Sequence, residues 1–203
     1  MAWAPDYADT DDLGHYLGIP DDADDVELAL AITAASRAID RYTGRQFGSA
    51  DATRYYTPEW DRNACQWRVS IDDIIGQPTS VMVDYAGAGQ YTGEVLSYRL
   101  LPVNAPADGL PYTELAITRQ SLVQPVARGY SVAVLGEPWG WAAVPEAVEQ
   151  ACLMQASRLF ARRGSPFGIA GSPEVGSELR LLARVDPDVA VVLNPYVRWW
   201  GAV

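Results

Sequence analysis

The chain contains one histidine, His15, and this limits the catalytic chemistry that its residues can support. A Ser-His-Asp triad would have to use His15 as its general base, and a histidine-based metal site would need a second histidine. His15 stands beside Gly14 and near no nucleophile motif of the GxSxG type. The adjacent acids Asp72 and Asp73 carry no sign of the cleft that a glycosidase needs between its carboxylates. The sequence therefore predicts no catalytic residues and a protein that is not an enzyme.

An acidic cluster near the N-terminus comprises Asp21, Asp22, Asp24 and Asp25. A calcium loop of the EF-hand type would space its acids as D-x-D-x-D-G and would end on a distal glutamate, and neither feature is present. Acidic residues also favour the positive end of a helix dipole, which lies at the helix N-terminus. We interpret the cluster as helix capping plus a solvated acidic face, and we expect neither a metal nor a cofactor.

The charge balance argues against tight binding to nucleic acid. The net charge is -11, all fifteen basic residues are arginine, and the first 25 residues hold eight aspartates and no arginine. Binding to DNA normally requires basic clusters that release counterions, so direct DNA recognition is not expected. An acidic surface would, however, suit a conduit through which DNA slides without sticking.

The seven tryptophans fall into different contexts. Trp139 and Trp141 flank a glycine between a predicted strand and a predicted helix, which indicates a packed corner. Trp199 and Trp200 follow Arg198 close to the end of the sequence, where little chain remains to cover them. Exposed aromatic residues beside an arginine are typical interface anchors. A tail folded back onto its own domain is the alternative, and the residues alone leave both possibilities open.

Three arginines, Arg158, Arg162 and Arg163, close the second long predicted helix. They could bind the carboxylates or the phosphate of a partner. The interpretation that we favour is that they complement the negative C-terminal end of the helix dipole.

Helical periodicity and end signals predict the elements that position these residues. Residues 10–17 form a short helix that Thr10 caps, and residues 24–44 form a long helix in which Asp24 and Glu27 resemble a capping box. Pro145 opens a second long helix, and Asp186 with the proline after it begins a short last one. The intervening region contains about six short runs of β-branched and aromatic residues that predict mostly antiparallel strands.

These elements predict an α+β fold. Its helical core combines residues 1–48 and 141–203, including the C-terminal tail, and residues 49–140 form an inserted, mostly antiparallel β-rich lobe. A length of 203 residues suits one core with such a lobe. No apolar run reaches the length of a membrane span, and the first residues do not resemble a signal peptide, so we expect assembly in a cytoplasm and no membrane partner.

Three stretches carry a resemblance to a known family. They are YLGIPDDADDVELALAITAASRAIDRYTGRQF (16–47), VAVLGEPWGWAAVPEAVEQACLMQASRLFARRGSPFG (132–168) and, more weakly, RVDPDVAVVLNPYVR (184–198). In this order and spacing they resemble the head-tail connector (head-to-tail adaptor) family of long-tailed phages, particularly those that infect actinobacteria. Together the stretches cover under half of the chain.

The resemblance implies a structural virion protein at the neck, between head and tail, assembled in the host cytoplasm. It implies a ring of about twelve copies closed by heterologous contacts. The ring would dock on the portal protein, extend the DNA channel without specific DNA binding, and present a platform to a head-closure or tail protein. We expect the portal contact to use the C-terminal residues Tyr196, Arg198, Trp199 and Trp200. We expect the acidic cluster to face the channel through Asp21, Asp22, Asp24 and Asp25.

Two alternatives remain open. Within the same assembly, a head-closure or tail-terminator protein is the nearest alternative. The β-rich middle and the seven tryptophans also allow a monomeric glycan-binding module.

Overall fold

The computed structural model describes residues 4–21, 23–122, 131–164, 169–170, 179–180 and 186–198. The chain divides into two compact units. Unit 1 consists of Met1–Ala4 and Gly48–Ala143, and unit 2 consists of Pro5–Phe47 and Val144–Val203. Over the described residues the fold mixes four α-helices with an antiparallel sheet of eight strands, so the predicted combination of helices and antiparallel strands is confirmed.

Unit 2 contains all four helices of the described chain. These are α1 (Thr10–Leu17), α2 (Asp25–Thr43), α3 (Glu146–Ala161) and α4 (Pro187–Leu193). Two short strands, β9 (Ile169–Ala170) and β10 (Leu179–Arg180), pair antiparallel in the same unit. None of the helices in the described part of the chain combines the length and apolar character needed to cross a membrane.

The ends of these helices follow the sequence signals with small corrections. Asp9, not Thr10, caps α1, because its carboxylate accepts the backbone N–H of Asp12 at 2.8 Å. Gly44 ends α2 in the left-handed conformation with φ +65°, as expected of a helix-terminating glycine. Asp186 caps α4 as predicted and accepts the N–H of Asp188 at 2.8 Å.

The two long helices bury apolar faces and contact each other at Ser36 and Cys152. α2 buries an apolar face that includes Leu28, Ile32 and Ile39, and α3 buries Val148 and Cys152. The hydroxyl of Ser36 lies 3.4 Å from the Cys152 sulfur, so the two helices approach closely at this point. Burial raises the pKa of the Cys152 thiol to about 11, which makes it a structural thiol rather than a reactive one.

Unit 1 is built on the eight-stranded sheet. Its strands are β1 (Ser49–Tyr56), β2 (Glu59–Asp61), β3 (Gln66–Ile74), β4 (Ser80–Val83), β5 (Gly93–Glu94), β6 (Tyr98–Leu101), β7 (Tyr112–Thr118) and β8 (Val132–Gly140). The order is β5-β4-β8-β3-β7-β6, with β1 paired to β8 and β2 paired to β3. The sheet thus has more strands than the sequence predicted, because β2 and β5 are too short to show a period of their own.

An apolar cluster of buried residues forms the core of the described part of unit 1, and Trp139 is its largest side chain. The chain next to Trp139 makes a tight corner. Gly140 adopts φ +100°, and a Cβ at this position would lie 1.9 Å from the carbonyl oxygen of Gly48. The N–H of Trp141 donates to the same carbonyl at 3.0 Å. Both tryptophans are buried, which confirms the predicted packed corner.

Candidate interaction surfaces

The C-terminal segment folds against the end of α2 as far as residue 198. The backbone N–H of Arg198 donates to the carbonyl of Thr43 at 2.7 Å. The carbonyl of Tyr196 accepts a hydrogen bond from the Arg45 side chain at 2.7 Å, and its ring meets Phe47 edge-on at 5.8 Å. Tyr196 and Arg198 are half-buried in their own unit, so up to residue 198 the tail follows the folded-back alternative. Trp199 and Trp200 lie outside the described residues.

The same aromatic contacts lead to a buried polar network inside unit 2. Phe47 also meets the ring of Tyr7 edge-on at 5.5 Å, and its N–H donates to the Tyr7 hydroxyl at 3.2 Å. That hydroxyl donates to the carboxylate of Asp40, which also accepts from Gln46 at 3.0 Å and pairs with Arg37 at 2.9 Å. Tyr196 in the C-terminal segment therefore packs on Phe47, a residue of this buried network.

Burial sets the protonation of this network. It raises the pKa of the Tyr7 phenol, and the hydrogen bond to Asp40 raises it further. Burial also raises the pKa of the Asp40 carboxyl, against the hydrogen bond from Tyr7 and the charge of Arg37, which lower it. Sequence reasoning missed this cluster, because its residues are spread along the chain and form no motif.

The aspartates of the acidic cluster have different surroundings in the structure. Asp24 precedes α2, but its side chain makes no capping hydrogen bond, so the predicted capping box is wrong. The Asp24 carboxylate instead lies 2.8 Å from the guanidinium of Arg163, which also approaches Glu27 at 3.9 Å. This hydrogen bond and the two acidic charges raise the pKa of Arg163. Asp21 is exposed and accepts the N–H of Ala23 at 3.3 Å, whereas Asp22 lies outside the described residues.

A cavity of about 240 Å³ lies beside this cluster, and its lining includes Asp11, His15, Asp21 and Asp25. The acids could attract a cation electrostatically. Across the described residues, however, no group of three or more His, Cys, Asp or Glu side chains is arranged to hold a metal ion.

The arginines at the end of α3 contact carboxylates of their own unit. Arg158 forms an ion pair with Asp186, the capping residue of α4, and Arg163 forms the pair with Asp24. The interpretation that these residues only complement the helix dipole is therefore incomplete. Their contacts join the end of α3 to the starts of α2 and α4.

The described tryptophan side chains of unit 1 are occupied in packing. Trp60 and Trp67 contact each other with ring centroids 5.1 Å apart, and the Trp67 indole donates to the carbonyl of Leu122 at 2.9 Å. The Trp141 indole donates to Asp73 at 2.9 Å, and Trp139 is fully buried. Trp139 and Trp141 are therefore closed to a sugar ring, whereas Trp60 and Trp67 are half-buried.

The acidic residues that could be considered for hydrolysis also have structural partners. Asp72 accepts hydrogen bonds from Arg54 at 2.6 Å and from Tyr56 at 2.9 Å. Asp73 is buried against Trp141, and neighbouring strand residues point to opposite faces of a sheet. The two carboxylates therefore do not converge on one substrate.

The buried carboxylate of Asp84 was not predicted from the sequence. Asp84 follows β4 and accepts backbone N–H groups of Ala86, Gly87 and Gly89 at 3.0, 2.9 and 2.6 Å. Desolvation opposes ionisation of this group, but the hydrogen bonds from the loop together lower its pKa. The alternating Ala and Gly residues at positions 86–89, shortly after Asp84, are the sequence signal from which this loop could have been predicted.

No family model matches the chain, and no curated protein matches its sequence.

Proposed function

We propose that this protein is a structural neck component of a long-tailed phage, a head-to-tail adaptor whose ring docks on the portal protein. The ring extends the DNA channel and presents a platform to the next neck or tail protein. The proposal rests on the resemblance of three stretches of the sequence to that family. It includes the finer statement of the fold, namely a helical connector core with an inserted β-rich lobe.

The observation that carries the proposal is that the helical parts of those stretches belong to one unit. Residues 16–47 supply α2, residues 132–168 supply α3, and residues 184–198 supply α4. Ser36 contacts Cys152, and Arg158 pairs with Asp186, so each stretch contacts another through specific side chains.

The charge of unit 2 supports the channel assignment in part. Asp21 is exposed and Asp25 is half-buried, and both remain candidates for a channel-facing acidic surface. The charge of Asp24 is compensated by Arg163, so it contributes less to such a surface than the sequence indicated.

We narrow the proposed portal contact to the residues that follow Arg198. Tyr196 and Arg198 hold the base of the C-terminal segment against Phe47 and Thr43, so they position the segment rather than reach outward themselves. Trp199 and Trp200 are then the residues that we propose for insertion into the portal, where aromatic anchors bind pockets efficiently.

The experiment is a co-sedimentation assay with the portal protein of the same genome. A variant that lacks residues 199–203 should lose portal binding and keep its thermal unfolding midpoint. A matched variant, Trp60→Ala, changes a tryptophan of unit 1 and should bind as the full chain does. Undiminished binding by the truncated variant would exclude the tail as the portal contact. Failure of the full chain to bind would favour a head-closure or tail-terminator position or the glycan-binding module.

A further inference from the structure

The segment before α1 lies against α2. We call it the N-terminal strap; it comprises residues 5–9 and forms neither helix nor strand. The residues of α2 that exchange hydrogen bonds with it are all polar: Thr33, Ser36, Arg37 and Asp40. They are spaced by three or four positions, so they lie on one face of the helix. The strap therefore follows about two turns of α2.

Tyr7 is the one buried residue of the strap. Its N–H donates to the Ser36 hydroxyl at 3.0 Å, and its own hydroxyl donates to the Asp40 carboxylate. The neighbouring Asp6 accepts from Thr33 at 2.8 Å, but this hydrogen bond is exposed. Exposed hydrogen bonds compete with water and contribute little to docking. Attachment of the strap therefore depends mainly on Tyr7.

Tyr7 also fixes the chain that follows α2. Its hydroxyl accepts the N–H of Phe47 at 3.2 Å, and its ring meets the Phe47 ring edge-on at 5.5 Å. Asp40, which accepts the Tyr7 hydroxyl, also accepts from the Gln46 amide at 3.0 Å. Residues 45–47 are therefore held in place by the strap and by the part of α2 that binds it.

The same three residues hold the C-terminal segment. The Arg45 side chain donates to the carbonyl of Tyr196 at 2.7 Å, and the Phe47 ring meets the Tyr196 ring edge-on at 5.8 Å. Phe47 is fully buried and thus has one aromatic ring from each end of the described chain against it. If Tyr7 withdraws, Phe47 loses packing on one side and its N–H loses an acceptor, and a packed interior tolerates neither.

We propose that the two ends of the chain are coupled: release of the N-terminal strap from α2 also releases the C-terminal segment at Tyr196. Residues 45–47 transmit the change because both ends bind them. Such coupling is reciprocal, so release of the C-terminal segment loosens the strap by a similar factor. The coupling is a property of the free chain. Only its use, to free the residues after Arg198 for the portal, rests on the proposed function.

The test is amide hydrogen exchange of the full chain, followed by NMR. The Arg198 N–H, which donates to the Thr43 carbonyl at 2.7 Å, reports the C-terminal segment, and the N–H of residue 7 reports the strap. Tyr7→Ala should speed exchange of the Arg198 amide about 5- to 150-fold, the usual range for coupled sites. Tyr196→Ala should speed exchange of the Tyr7 amide by a similar factor.

Two matched controls remove comparable side chains that take no part in these contacts. Tyr16→Ala removes a tyrosine of α1 that is 54% exposed, and Val191→Ala changes a residue of α4 that is 74% exposed. Both should leave the Arg198 and Tyr7 amides unchanged. Tyr7→Phe keeps the ring and removes only the hydroxyl, so it should give a smaller effect in the same direction and serves if Tyr7→Ala does not fold.

A further variant separates coupling from a general loss of stability. Val148→Ala shortens a buried side chain of α3, and it should speed exchange of the most protected α3 amides but not of the Arg198 amide. The reason is that an amide exposed by local opening does not follow the global free energy of unfolding.

Three results would overturn the inference. They are an Arg198 amide that exchanges normally in both Tyr7 variants, a Tyr7 amide that is unaffected by Tyr196→Ala, and equal acceleration of the Arg198 amide by Val148→Ala. None of these measurements involves the portal. Failure to bind the portal would therefore leave the coupling intact, and absence of coupling would leave the portal proposal standing.

Discussion

The guanidinium of Arg163, in the turn after α3, lies 2.8 Å from the carboxylate of Asp24, the residue before α2. The two residues are 139 positions apart in the chain, so the pair joins the end of one long helix to the start of the other. Both side chains are partly exposed, and exposed ion pairs are screened by solvent and salt.

Replacing Arg163 should therefore have a small, salt-dependent effect on stability. We expect Arg163→Ala to lower the thermal unfolding midpoint slightly at low ionic strength and to have no effect in concentrated salt. Thermal denaturation followed by circular dichroism measures this, with Arg62→Ala as the control for a lost surface arginine. A large destabilisation that persists in salt would show that Arg163 acts through packing, for example through its contact with the Phe160 ring.

The Tyr7 hydroxyl should contribute strongly to the stability of unit 2. Tyr7→Phe removes a donor to Asp40 and an acceptor for the Phe47 N–H, both in buried surroundings. Leaving buried polar groups unsatisfied costs about 1–3 kcal/mol, and we expect a loss of that size in urea unfolding. Tyr16→Phe, which removes a hydroxyl from an exposed side chain, should change the free energy of unfolding little. Equal effects of the two substitutions would contradict the network.

Asp40 should make the stability of the protein depend on pH in a defined direction. Burial raises the pKa of this carboxyl in the folded chain, so the folded state holds a proton at pH values where the unfolded chain has lost it. Stability from this group is therefore present below the unfolded pKa of about 3.9 and is lost as pH rises through the folded-state pKa.

The variant Asp40→Asn isolates this contribution because an amide does not ionise. The free energy of unfolding of the unaltered protein minus that of the variant should fall as pH rises through this window and then level off. Urea titrations at a series of pH values measure the difference. A difference that increases with pH would mean that Arg37 and Tyr7 outweigh burial and lower the pKa of Asp40.

Gly140 should tolerate no side chain. A Cβ there would lie 1.9 Å from the Gly48 carbonyl oxygen, and its φ of +100° is unfavourable for other residues. Backbone strain of this kind costs about 1–3 kcal/mol before the clash is counted, so Gly140→Ala should destabilise the protein by at least that amount. Gly76→Ala is the matched control, since a Cβ at Gly76 meets nothing within 4 Å. Equal unfolding midpoints for the two variants would contradict the tight corner.

The helices could be predicted from the sequence because their signals are local. Apolar spacing and Gly44 gave the extent of α2, and the aspartate and proline at 186–187 gave the start of α4. The predicted N-cap of α1, Thr10, was wrong by one residue. Asp9 and Thr10 are both good capping residues, and only the backbone conformation distinguishes them.

The partners of individual side chains could not be predicted, because they depend on tertiary contacts. Asp24 was predicted to cap α2, but its carboxylate forms an ion pair with Arg163. Tyr196 was predicted to be an exposed interface residue, but its ring packs against Phe47. The short strands β2 and β5 form because β3 and β4 each offer them an edge, and their own residues show too little alternation to reveal this.

The central claim is that the protein assembles on a portal. The most direct test is to mix the purified full-length chain with the portal protein of the same genome and to image the mixture by cryo-electron microscopy. The account predicts a ring of this protein stacked coaxially on the narrow end of the portal, with residues 199–203 at the contact and an acidic channel surface. Two folded proteins that do not associate, or a ring with a strongly basic channel, would contradict it.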